Sequence, residues 1–214
     1  MARIDLTLPV PASAEAPRPF RLEERIIHSG QTAYTGMVYH YAHDSMVGTY
    51  LDLPGHIKET DDGLDAESYP LEKLFRITAG VVHLKRESGS GAVHAEELAA
   101  ALPARTGNWD ALIVNALGER RFDEIDERTV WLAVDAVEWI ISTGVHLLVA
   151  DIYESTPELT GVFDRLFKAG LSTVCCPINL HLLTAPTVKL TVLPARFRGV
   201  TQLPCRAIAE QKEQ

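Results

Sequence analysis

The chain has 214 residues, of which 46% are hydrophobic and 23% are charged, with a formal net charge of -9 at pH 7. This composition is that of an ordinary globular protein, and the length suits one α/β domain. The acidic balance argues against nucleic acid or an anionic membrane as a partner. The sequence shows no membrane-length apolar run and no signal-peptide core, and its three cysteines make no disulfide framework. We therefore expect a protein of the reducing cytoplasm.

Composition and apolar spacing divide the chain into an arm and one domain. Residues 1–19 are predicted to form a loose N-terminal arm, because residues 9–19 are rich in proline and alanine. Residues 20–214 are predicted to form the domain, in which helices and strands alternate. Helices are expected at 92–102, 129–142 and 159–168, and strands at 109–114, 146–150, 171–176 and 188–193. This alternation indicates an α/β layered fold.

The run MVGTYLDLPGH at residues 46–56 places an acid and a histidine close together, among glycines and a proline. Leucines alternate with other residues there, which predicts a strand. Side chains two residues apart in a strand share a face. Met46, Tyr50, Asp52 and His56 should therefore point together if the run stays extended through Pro54.

The same run resembles the signature His-x-Gly-Thr-His-x-Asp-x-Pro-x-His of the cyclase family, which includes bacterial kynurenine formamidases, isatin hydrolases and some polyketide cyclases. Five positions match in register: Gly48, Thr49, Asp52, Pro54 and His56. The resemblance implies that Asp52 belongs to a site for zinc or manganese and that His56 is a general acid/base. It also implies two ligand histidines at the positions of Met46 and Tyr50, which cannot replace them well.

Other segments extend the resemblance over residues 20–210. They are GLDAESYPLEKL at 63–74, LLVADI at 147–152, AGLSTVCCPINL at 169–180, LPARFRG at 193–199 and PCRAIA at 204–209. The resemblance implies a cyclase-like layered β/β/α fold. It also implies a histidine and a glutamate as further ligands, and in ungapped register these positions hold Phe163 and Cys175. Only Asp52 then remains of the five metal-binding positions, so we predict that the family's zinc or manganese site is degenerate and that no metal cofactor is bound.

The candidate catalytic residues are His56, Asp52 and Tyr50, and each has a structural alternative. His56 could transfer protons or be a leftover residue at a strand end. Asp52 could orient His56, bind a substrate donor or cap a turn. Tyr50 could donate a hydrogen bond or fill the space that a ligand left.

Further candidates follow from the same comparison. Met46, Phe163 and Cys175 are predicted to line a substrate pocket repacked with apolar groups. Cys175 or Cys176 could be a nucleophile with His56 as its base, or inert packing. Asp151 is expected to hold structure through hydrogen bonds. His40 and His43 flank the motif and could replace a lost ligand, although loop positions suit them better.

Two functions of different classes remain open. The first is a metal-independent cyclase, isomerase, lyase or hydrolase that acts on a small cyclic or aromatic amide, lactone or polyketide-like substrate. The second is a non-catalytic protein that binds a ligand or a partner in the remodelled cavity. A metal-dependent arylformamidase-like hydrolase is a further alternative. The resemblance also implies a homodimer or homotetramer.

Overall fold

Twelve strands and three α-helices occur in the residues that the computed structural model describes, which are 1–10, 20–102, 108–155 and 160–212. The strands are β1 (Ala2–Asp5), β2 (Phe20–Ser29), β3 (Thr32–Tyr41), β4 (Tyr50–Asp52), β5 (Ile77–His83), β6 (Gly91–Val93), β7 (Ala111–Asn115), β8 (Val130–Leu132), β9 (Leu147–Ala150), β10 (Ser172–Cys175), β11 (Thr187–Pro194) and β12 (Gln202–Gln211). The helices are α1 (Ala95–Ala101), α2 (Val134–Ser142) and α3 (Val162–Lys168).

Seven of the strands form a closed ring. Its order is β12-β11-β5-β7-β9-β10-β4, and β4 pairs again with β12, while β1 lies beside the far end of β12. The central strands β5, β7, β9 and β10 run parallel, and the others pair antiparallel. The ring leaves β4 bonded on both sides, which fixes its residues firmly in place.

Two apolar cores lie on opposite faces of the ring's parallel strands. Ile113, Val149 and Val174 point into the ring, and Leu112 and Leu148 point outward toward the three helices. The central strands β7 and β9 are buried along their whole length. Such continuous apolar strands are typical of parallel sheets covered on both faces. The α/β layered architecture predicted from the sequence is therefore confirmed.

The predicted helices are present, but each begins later than expected. The apolar residues of 130–132 pair as β8 with β6, so α2 begins only at Val134. It is followed by Gly144 in the left-handed region, at φ +77, where a helix commonly ends. In the same way β6 precedes α1, and α3 begins at Val162. The first residue of the predicted third helix, Leu159, lies outside the described residues.

The N-terminal segment is part of the sheet. Strand β1 pairs antiparallel with the end of β12, with Ala2 opposite Gln211, and the side chains of Leu6 and Leu8 are buried. The prediction of a loose arm is therefore wrong for residues 2–8, because their apolar side chains are covered by the ring. The proline-rich part of that prediction, residues 11–19, lies outside the described residues.

Strands β2 and β3 form a hairpin that is a two-stranded sheet of its own. Each strand has ten residues, and large apolar side chains on it are exposed to solvent. No helix among the described residues is long and apolar enough to span a membrane.

Candidate active site

A cavity of about 240 Å³ lies where β4 and β10 meet the residues that follow β9. All six residues that the sequence singled out for the site line it: Met46, Tyr50, Asp52, His56, Phe163 and Cys175. Cys176 and Asp151 also face it, whereas His40 and His43 do not belong to its lining. The structure thus gathers into one place residues that are up to 129 positions apart in the chain.

Strand pairing explains this arrangement. On β4, Tyr50 and Asp52 are two residues apart and share a face. Cys175 of β10 lies directly opposite Tyr50, and Gln202 of β12 lies directly opposite Asp52. Paired residues project on the same side of a sheet, so these four side chains point toward the cavity.

His56 reaches the cavity by a different path from the one predicted. The extended run ends at Asp52, and Pro54–His56 forms a 3-10 turn instead of continuing the strand. Proline at the first position of that turn suits it, because its fixed φ matches the helical region. The turn carries His56 to the cavity mouth, where its side chain is exposed.

Asp52 is the most constrained polar group of the site. Its residue is 3% exposed, and the Cys175 thiol lies 3.6 Å from Oδ2, whereas Oδ1 has no hydrogen-bond partner among the described residues. Burial raises the pKa of Asp52, while a hydrogen bond from Gln202 and the nearby His56 oppose that rise. A buried carboxylate oxygen without a donor costs about 1–3 kcal/mol. The site is therefore prepared to receive an N–H or O–H group.

Gln202 lies beside both the acid and the histidine. Its Nε2 lies 3.0 Å from Nε2 of His56, and the residue lies directly opposite Asp52 in the pairing of β12 with β4. The hydroxyl of Ser45 donates to Oε1 of Gln202, so the NH₂ end faces the imidazole. His56 Nε2 then accepts the amide proton, and the imidazole's own proton is on Nδ1. The sequence analysis did not single out Gln202 or Ser45.

The two pocket cysteines are held as neutral thiols. Burial raises the pKa of Cys175 well above its usual value and raises that of Cys176 to about 12. Only a thiolate is an effective nucleophile or metal ligand. The arrangement therefore favours the inert reading of these residues over the nucleophile alternative.

An aromatic wall closes one side of the cavity. The ring of Phe163 stacks on that of Tyr153 with centroids 5.0 Å apart, and Phe167 lies behind it at 5.9 Å. The hydroxyl of Tyr153 donates to the backbone oxygens of Leu148 and Val174, which fixes its ring. A flat apolar surface of this kind suits an aromatic or cyclic ligand.

Tyr50 adds a hydroxyl to the same space. Burial, and after it the neighbouring Cys175, raises the pKa of the phenol well above its usual value, so it stays protonated and can donate a hydrogen bond. Across the opening, Arg128 lies over the ring of Phe122 at 4.6 Å, and both residues line the cavity. Sequence reasoning missed this arginine, which has no motif around it.

Asp151 has the structural role predicted for it. Its carboxylate accepts hydrogen bonds from the backbone nitrogens of Ala116 and Leu117 at 2.8 and 3.0 Å, and from the side chain of Asn115 at 2.8 Å. These bonds tie the end of β9 to the loop after β7. The same N–H donors oppose the rise that burial causes in the pKa of Asp151.

Gly48 and Thr49 of the motif have a structural role. The Thr49 hydroxyl donates to the Cys176 backbone oxygen at 2.7 Å and accepts from the Leu8 backbone nitrogen at 2.7 Å. Gly48 has φ +64, and a Cβ there would lie 2.7 Å from the Leu8 oxygen. The pair therefore anchors the N-terminal segment against β10, and this structural role does not depend on a metal site.

The donors at the family's metal positions do not fit zinc or manganese. Phe163 offers no ligand atom, Met46 offers a neutral thioether and Tyr50 offers a phenol, whereas zinc and manganese favour imidazole, thiolate and carboxylate. Among the described residues, no group of three or more histidine, cysteine, aspartate or glutamate side chains is arranged to hold a metal ion. The two flanking histidines do not repair the site, because His40 contacts Glu23 on the hairpin and His43 contacts a backbone oxygen.

Comparisons with known proteins agree with this architecture. A family model named "Cyclase" matches residues 4–155 of the chain. The structure of isatin hydrolase A from Labrenzia aggregata, bound to benzyl benzoate, is similar with a TM-score of 0.72 and 17% identity, over 99% of this chain and 94% of that one. Isatin hydrolase A from Ralstonia solanacearum has a TM-score of 0.67 and 16% identity, over 97% and 91% of the two chains.

A third similar structure is that of a predicted metal-dependent hydrolase from Bacillus stearothermophilus, with a TM-score of 0.64, 17% identity and coverage of 97% of both chains. At such identities the likeness shows the fold. No curated protein gives a significant match to the sequence. The layered fold expected from the sequence is confirmed by these structures.

Proposed function

Because the chain belongs to the cyclase family, we propose that it is an enzyme which transfers protons on a small cyclic or aromatic amide, lactone or polyketide-like substrate without the family's metal ion. The observation that carries this proposal is the grouping of an imidazole, a buried carboxylate oxygen without a donor and a protonated phenol around one aromatic-walled cavity. The fold supports a cyclase-like or hydrolase-like ancestry, and the side chains of the cavity support proton transfer without a metal ion.

The roles of the residues follow from their surroundings. A flat substrate ring stacks on Phe163, and a substrate N–H or O–H group donates to Oδ1 of Asp52, which has no donor within the described part of the chain. Tyr50 donates to a carbonyl oxygen, and His56 takes or returns a proton on the neighbouring carbon or hydroxyl. Amide hydrolysis without a metal-bound hydroxide is difficult, so isomerisation, dehydration or cyclisation is the favoured reaction class.

Exchange of carbon-bound hydrogen for deuterium tests this role without knowledge of the natural substrate. Oxindole, a cyclic aromatic amide, and 2-coumaranone, its lactone analogue, both carry acidic hydrogens next to a carbonyl group. We expect the protein to accelerate exchange in D₂O, observed by proton NMR, and we expect His56→Gln to reduce the rate to the spontaneous level. A positioned histidine typically contributes about 10²–10⁴-fold to such a step.

His94→Gln is the matched control, because His94 is solvent-exposed beside Asp135 and outside the cavity lining. Full exchange in His56→Gln would show that His56 is only part of the scaffold. Saturable binding of either compound without exchange in any variant would favour the second candidate function, a non-catalytic binder. The aromatic wall and the neutral thiols of the cavity are the observations that favour that alternative.

We also propose that the protein is a homodimer or homotetramer, assembled through the β2-β3 hairpin. One face of the hairpin carries five exposed apolar residues: Leu22 at 48%, Ile26 at 68%, Met37 at 49%, Tyr39 at 54% and Tyr41 at 68%. The opposite face carries the exposed Tyr34 together with charged side chains, among which Glu23 contacts Arg25 and His40. An amphipathic ribbon with its apolar face in water is typical of an interaction surface.

A second copy of this chain fits that surface. A two-stranded hairpin is only marginally stable alone in water, so packing against a partner stabilises it. Ten residues of strand give a face about 33 Å long and about 10 Å wide, or about 330 Å². In a two-fold dimer, the hairpin of each protomer covers a matching surface on the other protomer. Four such faces are then buried, about 1,300 Å² in total, which is within the range of stable interfaces. The three buried free cysteines also suit a reducing cytoplasm, which we retain as part of the proposal.

A further inference from the structure

Arg128 brings a positive charge to the opening of the cavity. The residue is exposed and lines the cavity, and its guanidinium carbon lies over the ring of Phe122 at 4.6 Å from the ring centroid. An aromatic ring beside a guanidinium restricts its motion without competing for its N–H groups. The backbone next to Arg128 is also fixed, because the Gly91 nitrogen donates to the Thr129 oxygen at 2.7 Å. The arginine is therefore held at the cavity opening.

The charge of Arg128 acts inside the cavity. Burial raises the pKa of Cys176 to about 12, and among the groups that oppose this rise the charge of Arg128 has the largest effect. Electrostatic interactions weaken with distance, so the guanidinium lies near the part of the cavity that holds this thiol. Cys176 and Phe163 line the same cavity. A ligand whose ring stacks on Phe163 is therefore exposed to the positive charge of the arginine.

The charges at the opening suit one carboxylate. Arg120 and Arg128 line the cavity together with Glu127, so the two arginines outweigh the single glutamate. Two further lining acids, Asp151 and Glu154, accept hydrogen bonds from backbone nitrogens. The chain as a whole has a formal net charge of -9 and repels anions, so an anionic ligand needs a local cation. A ligand with a single negative charge fits this balance better than a phosphate or another polyanion.

We propose that Arg128 is a specificity-determining residue that binds a carboxylate of the substrate, and that the substrate is a cyclic or aromatic amide bearing one carboxylate group. Arginine is well suited to this task, because its planar N–H groups can bind both carboxylate oxygens at once. The ring of such a substrate stacks on Phe163, its amide N–H donates to Oδ1 of Asp52, and its carboxylate lies at the opening. This inference rests on the proposed function in taking the cavity as the substrate site.

The test uses oxindole-3-acetate and oxindole-3-acetamide, which share a ring and a shape but differ in charge. Titration calorimetry measures the Kd of each compound for wild type, Arg128→Gln and Arg128→Lys. We expect wild type to bind the acetate about 10-fold more tightly than the acetamide, and less so at high salt, because the arginine is exposed. Arg128→Gln should bind both compounds equally. Arg128→Lys should keep a reduced preference, since it retains the charge but loses the paired N–H groups.

Arg196→Gln is the matched control, because Arg196 is an exposed arginine that contacts Glu67 and lies outside the cavity lining. It should keep the wild-type preference. Circular dichroism confirms that each variant is folded, and the reduced preference of Arg128→Lys decides the test if Arg128→Gln does not fold. Equal binding of the two compounds by wild type, no binding of either, or an undiminished preference in Arg128→Gln would overturn the proposal. The titration does not use catalysis, so a carboxylate preference without deuterium exchange would count against the proposed function alone.

Discussion

Replacing Ile26 with serine tests the proposed assembly most sharply. Ile26 is among the most exposed apolar residues of the hairpin, at 68%, so most of its side chain remains to be buried by a partner. Complete burial of an isoleucine stabilises by about 1.5–3 kcal/mol, of which about two thirds is available here. A two-fold dimer contains the residue twice. The dimer should therefore lose about 2–4 kcal/mol, which weakens its Kd roughly 30- to 700-fold.

Sedimentation velocity over a dilution series measures that Kd directly. Arg21→Ser is the matched control, because Arg21 is in the same strand, is equally exposed and points to the opposite, charged face. We expect the Arg21→Ser dimer to have the same Kd as wild type. The Ile26→Ser dimer should have a higher Kd, so that it dissociates at protein concentrations at which wild type is still dimeric. A wild-type protein that is monomeric throughout, or equal dissociation of all three proteins, would refute the assignment of the hairpin face to a second copy.

Two further predictions concern stability. Thr49→Val keeps the shape of the side chain but leaves the Leu8 nitrogen and the Cys176 oxygen without their buried partner, so urea unfolding should show a loss of about 2–4 kcal/mol; an unchanged midpoint would contradict the anchoring role. Asp65 accepts hydrogen bonds from the Gly199 and Ser68 nitrogens, which hold its folded pKa below the usual value. Its contribution is complete above its unfolded pKa, near 3.8, and is lost as the pH falls toward the folded value. The difference in free energy of unfolding between wild type and Asp65→Asn should therefore be larger at neutral pH than at pH 2.5. A difference that does not change with pH would contradict this.

Local periodicity and the family register together predicted which six side chains line the cavity. The two-residue repeat of a strand correctly placed Tyr50 and Asp52 on one face, and the family register brought Phe163 and Cys175 to the same cavity. His56 reaches the cavity although the chain turns at Pro54, because a single 3-10 turn covers the short remaining distance. The catalytic and substrate-binding roles of these residues remain predictions.

Long-range pairing could not be predicted in the same way. Gln202 meets His56 across 146 positions, through a register between β4 and β12 that no local pattern encodes. The N-terminal strand was missed for a similar reason, because its partner is at the other end of the chain. The hairpin did carry a signal, since Met37, Tyr39 and Tyr41 recur at every second position on a strand that follows Gly30.

Elemental analysis of the purified protein, without chelators during preparation, tests the central claim most directly. Phe163, Met46 and Tyr50 stand at three of the family's five ligand positions, and none of these side chains suits zinc or manganese. The account predicts no stoichiometric zinc or manganese and no hydrolysis of N-formylkynurenine. About one such ion per chain, lost in Asp52→Ala, would contradict it.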